Sequence, residues 1–153
     1  PSRHDPPSFP ESSGLTDGLD RSRLMFQRGI LERLLHREPD NVDYLVALGQ
    51  SCAQLGEHDT GLRIDRRLVK EHPDNPTFRY NLACTLALIG DLNGSCGELL
   101  AAIKLGYRDF AHLLADEDLK ELRADARFGL VADRMAAAQD EGSATGSQPA
   151  AET

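Results

Sequence analysis

The stretch VDYLVALGQSCAQLGEHDTGLRIDRRLVKEHPDN (residues 42–75) is followed directly by PTFRYNLACTLALIGDLNGSCGELLAAIKLGYRD (residues 76–109), and each segment is 34 residues long. Placed one under the other, the segments match at small and apolar positions: Leu48 with Leu82, Ala53 with Ala87, Gly56 with Gly90 and Val69 with Ile103. A fixed period of this length indicates a repeated structural unit. Each segment has two runs of apolar residues at helical spacing, separated by a glycine. Residues 42–109 are therefore predicted to form four antiparallel helices.

The residues around the turns of these segments follow a known pattern. They are Leu48-Gly49, Gly56-Glu57 and Pro73-Asp74-Asn75 in the first segment, and Tyr80-Asn81-Leu82-Ala83, Gly90-Asp91 and Ala101-Ala102 in the second. This pattern resembles the tetratricopeptide repeat (TPR), which has Leu-Gly in its first helix, Gly-Asp at its turn and Pro near its end. The resemblance implies a right-handed helical solenoid in which the first helix of each repeat, the leading helix, lines a concave groove.

The sequence after the second segment resembles the closing segment that follows bacterial TPR arrays. Such segments usually carry Leu-Arg-x-Asp-Pro-Arg-Phe. Residues 122–128 of this chain read LRADARF, with Ala126 in the place of the proline. The resemblance therefore implies a TPR protein of bacterial type, with a C-terminal cap of the end-of-group kind formed by residues 110–138.

Upstream of the repeats, an apolar stripe at helical spacing runs from Leu24 to Arg37. It resembles the second half of a TPR without its first half. Both ends of the chain are poor in apolar residues and are predicted to be disordered, because they cannot bury enough surface to offset the entropy of ordering. The predicted architecture is all-α: a tail (1–21), a half repeat (22–41), two full repeats (42–75 and 76–109), capping helices (110–138) and a second tail (139–153).

The composition limits the classes of partner. The chain carries a net charge of −8 and has a sequence pI near 5.0. A nucleic acid is not expected as a partner, because binding to its phosphates needs a concentrated face of Lys and Arg. No apolar run reaches the roughly 18 residues of a membrane-spanning helix, and the N-terminus lacks the basic-then-apolar order of a signal peptide. We therefore expect no membrane insertion and a cytoplasmic location, in which the three widely spaced cysteines are reduced thiols.

No catalytic residue, cofactor site or metal site is expected. The sequence contains no phosphate-binding loop, nucleophile elbow or HExxH pair, and no strand pattern on which the first two would sit. The alternative is a thiol enzyme or redox sensor that uses Cys84, with His112 or His36 folded beside it. We favour a small residue lining a groove as the interpretation of Cys84, because no base accompanies it in the sequence.

The predicted function is that of a non-catalytic adaptor or scaffold that binds a peptide or helix of a partner protein. The TPR resemblance places the partner in the concave groove and implies these lining residues: Asp43, Val46, Gln50, Ala53, Gln54, Thr77, Tyr80, Asn81, Cys84, Ala87 and Leu88. Tyr80 is expected to be the aromatic anchor for an apolar helix or extended segment. A clamp for a peptide C-terminus is not expected, because Val46 and Gln50 stand where such clamps have Lys and Asn.

A second hypothesis places the partner on the N-terminal helix. One flank of residues 24–35 has no covering element in the sequence, and the docking residues would be Phe26, Ile30, Leu31 and Leu34. The chain would then be a structural subunit of a larger complex or a self-associating module. An ordinary capping helix is the simpler interpretation of this segment, since the ends of solenoids need caps.

Three local features are also expected. Asn75 followed by Pro76 should begin a helix, with the asparagine as its cap. Asp65 stands where TPRs usually have a large apolar residue, and we expect it to pair with Arg79 across the boundary between the repeats. Gly97 lies in a predicted helix interior, where a close crossing of two backbones would explain it. Together with Gly94, it should make this helix the least stable of the repeats.

Overall fold

The computed structural model describes residues 13–144, and the side chains of residues 18–141. Within this range the regular structure is helical throughout, with no strand, so the all-α prediction is confirmed. None of the helices in this range has both the length and the apolar character needed to cross a membrane. The helices are α1 (Ser13–Arg37), α2 (Val42–Leu55), α3 (His58–Glu71), α4 (Pro76–Leu88), α5 (Leu92–Lys104) and α6 (Phe110–Ala115), then a 3-10 turn (Glu117–Leu119), α7 (Lys120–Ala124) and α8 (Phe128–Ala144).

Each helix from α1 to α4 packs against the helix that follows it in the sequence. The turns that join these helices are short, so neighbouring helices run in opposite directions. After α5 the chain turns back, and α8 lies along α5 while the 3-10 turn contacts α4. The segment from α6 to α8 therefore covers one end of the helical array.

The 34-residue period recurs in the backbone geometry. Asn41 and Asn75 are both N-caps, whose side chains accept hydrogen bonds from the first turns of α2 and α4. The predicted Asn75 cap is confirmed, with its Oδ1 2.9 Å from the Thr77 nitrogen. Gly56 and Gly90 both adopt positive φ angles, +74° and +82°, at the turns that follow α2 and α4. A residue with a side chain adopts such angles only with strain, which explains glycine at both turns.

The buried apolar residues form two clusters. The first joins α1, α2, α3 and the start of α4, and it consists of Leu31, Leu45, Leu48, Cys52, Ile64, Leu68 and Phe78. The second joins α4, α5 and the covering segment, and its fully buried residues include Leu99, Ile103, Leu113, Leu119, Leu122 and Val131. A polar pair, Asp65 of α3 and Thr85 of α4, is buried where α3 meets α4.

A partly exposed ion pair connects α1 to the turn between α2 and α3. The Arg28 Nη1 atom lies 2.7 Å from Glu57 Oε1, and both side chains are about one third exposed. Glu57 belongs to the turn between α2 and α3, so this contact joins α1 to two further helices. An ion pair as exposed as this one contributes little on its own, and we attribute the attachment of α1 mainly to Leu31 in the first cluster.

Two predicted helix boundaries are wrong. The first helix begins at Ser13 and not near Leu24, so the predicted border between tail and domain after residue 21 falls inside α1. The last helix continues to Ala144, past the predicted start of the second tail at residue 139. Both extensions have few apolar residues to bury, so the apolar pattern could not signal them. Their backbone hydrogen bonds are satisfied within the helix itself. Residues 1–12 and 145–153 of the predicted tails lie outside the described residues.

The explanation predicted for Gly97 is also wrong. A Cβ atom built on Gly97 meets no other atom within 4 Å, and the residue is exposed on α5. No second backbone crosses there. Gly94 is different, because a Cβ atom at this position would lie 2.6 Å from the carboxylate of Asp91, which caps α5.

Candidate functional site

A cavity of about 140 Å³ lies between α2, α4 and the covering segment. We call it the α2–α4 pocket. Six of the predicted groove residues line it: Val46, Gln50, Ala53, Tyr80, Asn81 and Cys84. The structure therefore brings the central part of the predicted groove together in one concave site.

The other five predicted groove residues do not line the pocket. Asp43 is exposed near the start of α2, and Gln54 faces a shallow hollow between α1 and α2. Thr77 belongs to the first turn of α4, while Ala87 is buried and Leu88 half-buried at the far end of that helix. The covering segment closes the groove at the level of Tyr80 and Cys84, which is why the predicted surface is shorter than expected.

Tyr80 is not an exposed aromatic anchor. Its side chain is only 5% exposed, and its ring stacks on Tyr107 with 4.5 Å between ring centroids. Its hydroxyl donates to Asp116 Oδ2 at 2.6 Å. The prediction fails because Tyr107, which follows α5, and Asp116, which follows α6, both pack against this side chain. Tyr80 instead forms part of the pocket wall.

Asp116 fixes the pocket wall that the covering segment forms. Besides Tyr80, its Oδ2 atom accepts from the Cys84 thiol, with Sγ at 3.6 Å, and the Nε2 atom of His112 lies 3.6 Å away. Its Oδ1 atom accepts from the Asp118 backbone nitrogen at 3.0 Å. The Arg123 side chain donates to the backbone carbonyl of Asp116 and so links it to α7. Both carboxylate oxygens of Asp116 are therefore occupied by the protein itself.

Cys84 and His112 approach the same carboxylate and do not form a nucleophile and base pair with each other. Burial raises the pKa of the Cys84 thiol well above its ordinary value, and the negative charge of Asp116 raises it further. Both effects disfavour the thiolate, which is the reactive form. His36, the other histidine considered for this role, lies on the exposed surface of α1.

Asp65 forms the base of the pocket from α3. Its side chain is 6% exposed, and its Oδ2 atom accepts a hydrogen bond from Thr85 Oγ1 at 2.6 Å. Burial raises the pKa of the Asp65 carboxyl to about 6, although the Thr85 hydrogen bond acts in the opposite direction. The predicted pair with Arg79 is wrong, since Arg79 Nη1 binds Glu98 Oε2 at 2.9 Å. In the antiparallel packing of α3 and α4, Asp65 lies opposite Thr85, one and a half helical turns beyond Arg79.

The pocket is strongly acidic. Three carboxylates line it, those of Asp65, Asp116 and Asp118, and no Lys or Arg is among its lining residues. Burial and the neighbouring Asp116 raise the pKa of Asp118. Among the residues that the structure describes, no three Cys, His, Asp or Glu side chains are grouped so as to hold a metal ion. The side chains that line the pocket thus include three acidic groups, and His112 is the one basic group among them.

Sequence reasoning missed Asp116 and Asp118 as site residues. The sequence shows a carboxylate-rich run from Asp116 to Asp118, but such a run is more typical of helix caps and a solvated surface than of a site. The placement of this cap against Tyr80 and Cys84 depends on how the covering segment folds back, and no local pattern encodes that. A larger hollow of about 700 Å³ is lined by seven consecutive residues, from Glu71 at the end of α3 to Thr77 at the start of α4, and brings no distant residues together.

The N-terminal helix presents a second surface. Phe26 is 68% exposed and Ile30 is 36% exposed, as the second docking hypothesis requires. Leu31 is buried in the first cluster and Leu34 is half-buried, so neither is free to contact a partner fully. Leu19 adds an exposed apolar side chain that the prediction did not include.

Comparison with known proteins gives no further guide to function. No family model, curated protein or solved structure matches this chain. The chemistry and shape of the α2–α4 pocket and of the α1 surface are therefore the grounds for a functional assignment.

Proposed function

We propose that this chain is a TPR-like, non-catalytic adaptor that holds a segment of a partner protein in the α2–α4 pocket. The observation that carries the proposal is the convergence of six predicted groove residues on one cavity. The recurrence of caps and glycine turns 34 residues apart supports the TPR resemblance. In this proposal α2 and α4 are the leading helices, and the covering segment closes the groove at one end.

Binding fits the pocket better than catalysis does. Its one thiol, Cys84, is buried and hydrogen-bonded to a carboxylate, which opposes ionisation. Its side chains are fixed by contacts with each other: Tyr80 on Tyr107, Asp116 on Tyr80, and Asp65 on Thr85. A rigid, concave, mixed polar and apolar surface is suited to recognising a side chain of a partner.

The test uses two exposed glutamines that lie one turn apart on α2. Gln50 lines the pocket, whereas Gln54 does not. Peptides are first selected against the wild-type chain from a random 12-residue display library. We expect Gln50→Trp, which fills the mouth of the pocket, to abolish binding of these peptides. Gln54→Trp, the matched control, should leave their binding within about twofold.

Equal binding by both tryptophan variants would contradict the proposal, because the selected peptides would then bind elsewhere. Failure to select any peptide whose binding Gln50→Trp weakens would also count against it. Circular dichroism of both variants checks that each remains helical. Since Gln50 and Gln54 are both exposed, neither substitution disturbs the apolar clusters.

A second candidate function is assembly through α1. Leu19, Phe26 and Ile30 follow one another at intervals of seven and four residues, so they lie on one side of the helix. Phe26 and Leu19, at 68% and 71% exposure, are the observation that favours it. In this case the chain would be a subunit of a larger complex or would self-associate, and α1 would be the contact surface.

A further inference from the structure

The charges that line the α2–α4 pocket are not balanced. Asp65 comes from α3, Asp116 from the turn after α6, and Asp118 from the 3-10 turn, so three separate elements direct carboxylates to one cavity. His112 is the only basic residue in its lining. Like charges held together in a concave, poorly solvated site raise the local affinity for a cation.

Of the three carboxylates, that of Asp65 gives the most information about a ligand. More than nine-tenths of its side chain is buried, yet only Oδ2 has a partner, the Thr85 hydroxyl. Its Oδ1 atom accepts no hydrogen bond from the described residues and lies beside Gly49, which also lines the pocket: a Cβ atom on Gly49 would be 3.5 Å from it. Among the described residues, the fully buried side-chain polar atoms without a partner belong to His58 and Ser95, so Asp65 Oδ1 is not fully enclosed by the protein. Because Asp65 lines the cavity, a ligand there can donate a hydrogen bond to this oxygen.

Three further groups around the cavity can accept hydrogen bonds. The Asp118 carboxylate and the side-chain amides of Gln50 and Asn81 line the pocket, and none of them has a side-chain hydrogen bond within the described residues. Asp116 differs from them, because Tyr80, Cys84 and the Asp118 nitrogen already occupy its oxygens. The open acceptors thus come from α2, α3, α4 and the 3-10 turn and surround the cavity.

We propose that the α2–α4 pocket takes up the guanidinium group of an arginine side chain carried by the partner segment, an inference that rests on the proposed adaptor function. Arginine has five donors in a plane, and these can reach acceptors on several sides of a cavity at once. Its guanidinium is also more weakly hydrated than the lysine ammonium, so it enters a buried acidic site at lower cost. The cavity of about 140 Å³ far exceeds the roughly 10–15 Å³ that one water molecule requires.

The direct test titrates the full chain, labelled with nitrogen-15, with N-acetyl-arginine amide. The reporters are the backbone amides of Gly49, Asn81 and Thr85, which surround the cavity. N-acetyl-citrulline amide is the matched control, since it has nearly the same shape without the charge. Lysine amide acetylated only at its α-amine, with a free side-chain ammonium, tests whether the pocket prefers a guanidinium to an ammonium. We expect saturable shifts with arginine, at least about tenfold weaker binding of citrulline, and weaker binding of lysine than of arginine.

Two variants on different elements test the acceptors. Asp65→Asn and Asp118→Asn should each weaken binding of N-acetyl-arginine amide about tenfold, while Asp133→Asn, an exposed residue of α8, should leave it unchanged. The spectra themselves report whether each variant is folded. Equal binding of citrulline and arginine, tighter binding of lysine than of arginine, or shifts that neither pocket variant weakens would overturn the inference.

The outcome also separates this inference from the proposed function. If selected peptides bind the pocket but share no arginine, the arginine site is wrong and the adaptor function stands. If N-acetyl-arginine amide binds as described but no peptide does, the pocket is a cation site and the adaptor proposal is wrong. If neither binds, both are wrong.

Discussion

Asp65 is a residue whose environment opposes its charge. It is buried between α3 and α4, and one hydroxyl, that of Thr85, is its hydrogen-bond partner. Burial raises its pKa to about 6, so the folded state disfavours the ionised form. Its stabilising contribution is therefore fully present below the unfolded-state pKa near 4 and is lost as the pH rises through about 6.

We predict that Asp65→Asn stabilises the chain at pH 8 by about 3 kcal/mol, the free energy that corresponds to a carboxyl pKa raised from 3.8 to about 6. The asparagine keeps an oxygen for the Thr85 hydroxyl and carries no charge. Because wild-type Asp65 is protonated in the folded state at pH 4, the gain should shrink toward zero at that pH. Urea unfolding at pH 4, 6 and 8 measures it, with Asp133→Asn as the control on an exposed site. A gain that is independent of pH, or a loss at pH 8, would contradict this account of Asp65.

The sequence indicated that Asp65 was unusual but not what it contacts. The position stood out because TPRs usually have a large apolar residue there. Its partner depends on the axial alignment of α3 against α4: Arg79 and Thr85 are six residues apart, which is about 9 Å along a helix. Similarly, Tyr80 lines the α2–α4 pocket, but its burial depends on Tyr107 and Asp116, whose position no repeat pattern encodes.

At the scale of single elements, the local rules of helix formation account for most boundaries between residues 42 and 115. Asparagine caps begin α2 and α4, Asp91 caps α5, and glycines with positive φ follow α2 and α4. These signals lie in the sequence itself, so the four repeat helices could be predicted closely. The extensions of α1 and α8 have few apolar residues in their sequence, so no apolar periodicity marks them, and they were missed.

Two glycines test this view of the elements. Gly97 lies inside α5 with open space where a Cβ atom would be, so Gly97→Ala should stabilise the chain by about 0.5–1 kcal/mol. Gly56 has a φ angle of +74°, so Gly56→Ala should destabilise it by about 1 kcal/mol, although space is also open there. Chemical unfolding of both variants measures these changes in the free energy of unfolding. A loss of stability in Gly97→Ala would mean that the backbone of α5 needs glycine for a reason that its surroundings do not show.

The expectation that α5 is the least stable repeat helix remains a prediction. Its two glycines weaken it, but its contacts with α4 and α8 and its buried Leu99 and Ile103 oppose that effect. Amide hydrogen exchange compares its protection with that of α2, α3 and α4.

At the scale of the whole molecule, α1 presents an apolar stripe that carries positive charge. At 100° per residue, Leu19, Phe26 and Ile30 lie on one side of the helix together with Arg23, Arg33 and Arg37. Pairing two copies of this stripe would place arginines of both chains near each other, which opposes self-association. The stripe is better suited to a partner with acidic residues beside its apolar ones.

We therefore predict that the chain is monomeric at concentrations of about 10 µM, near the weak end of specific protein association. Sedimentation equilibrium measures the mass. Phe26→Ser is the diagnostic variant, with Leu130→Ser on α8 as a matched exposed control. A dimer that only Phe26→Ser dissociates would contradict the prediction and favour self-assembly through α1 over the adaptor function.

The measurement that tests the adaptor proposal most directly is the map of amide shifts on binding a peptide selected against the wild-type chain. Gly49 lines the α2–α4 pocket, and Gly29 lies on α1 away from it, so the two glycine amides report on the two candidate surfaces. The account predicts that Gly49 and its neighbours on α2 and α4 shift and that Gly29 does not. Shifts confined to α1 would contradict it and would make the N-terminal helix the binding surface.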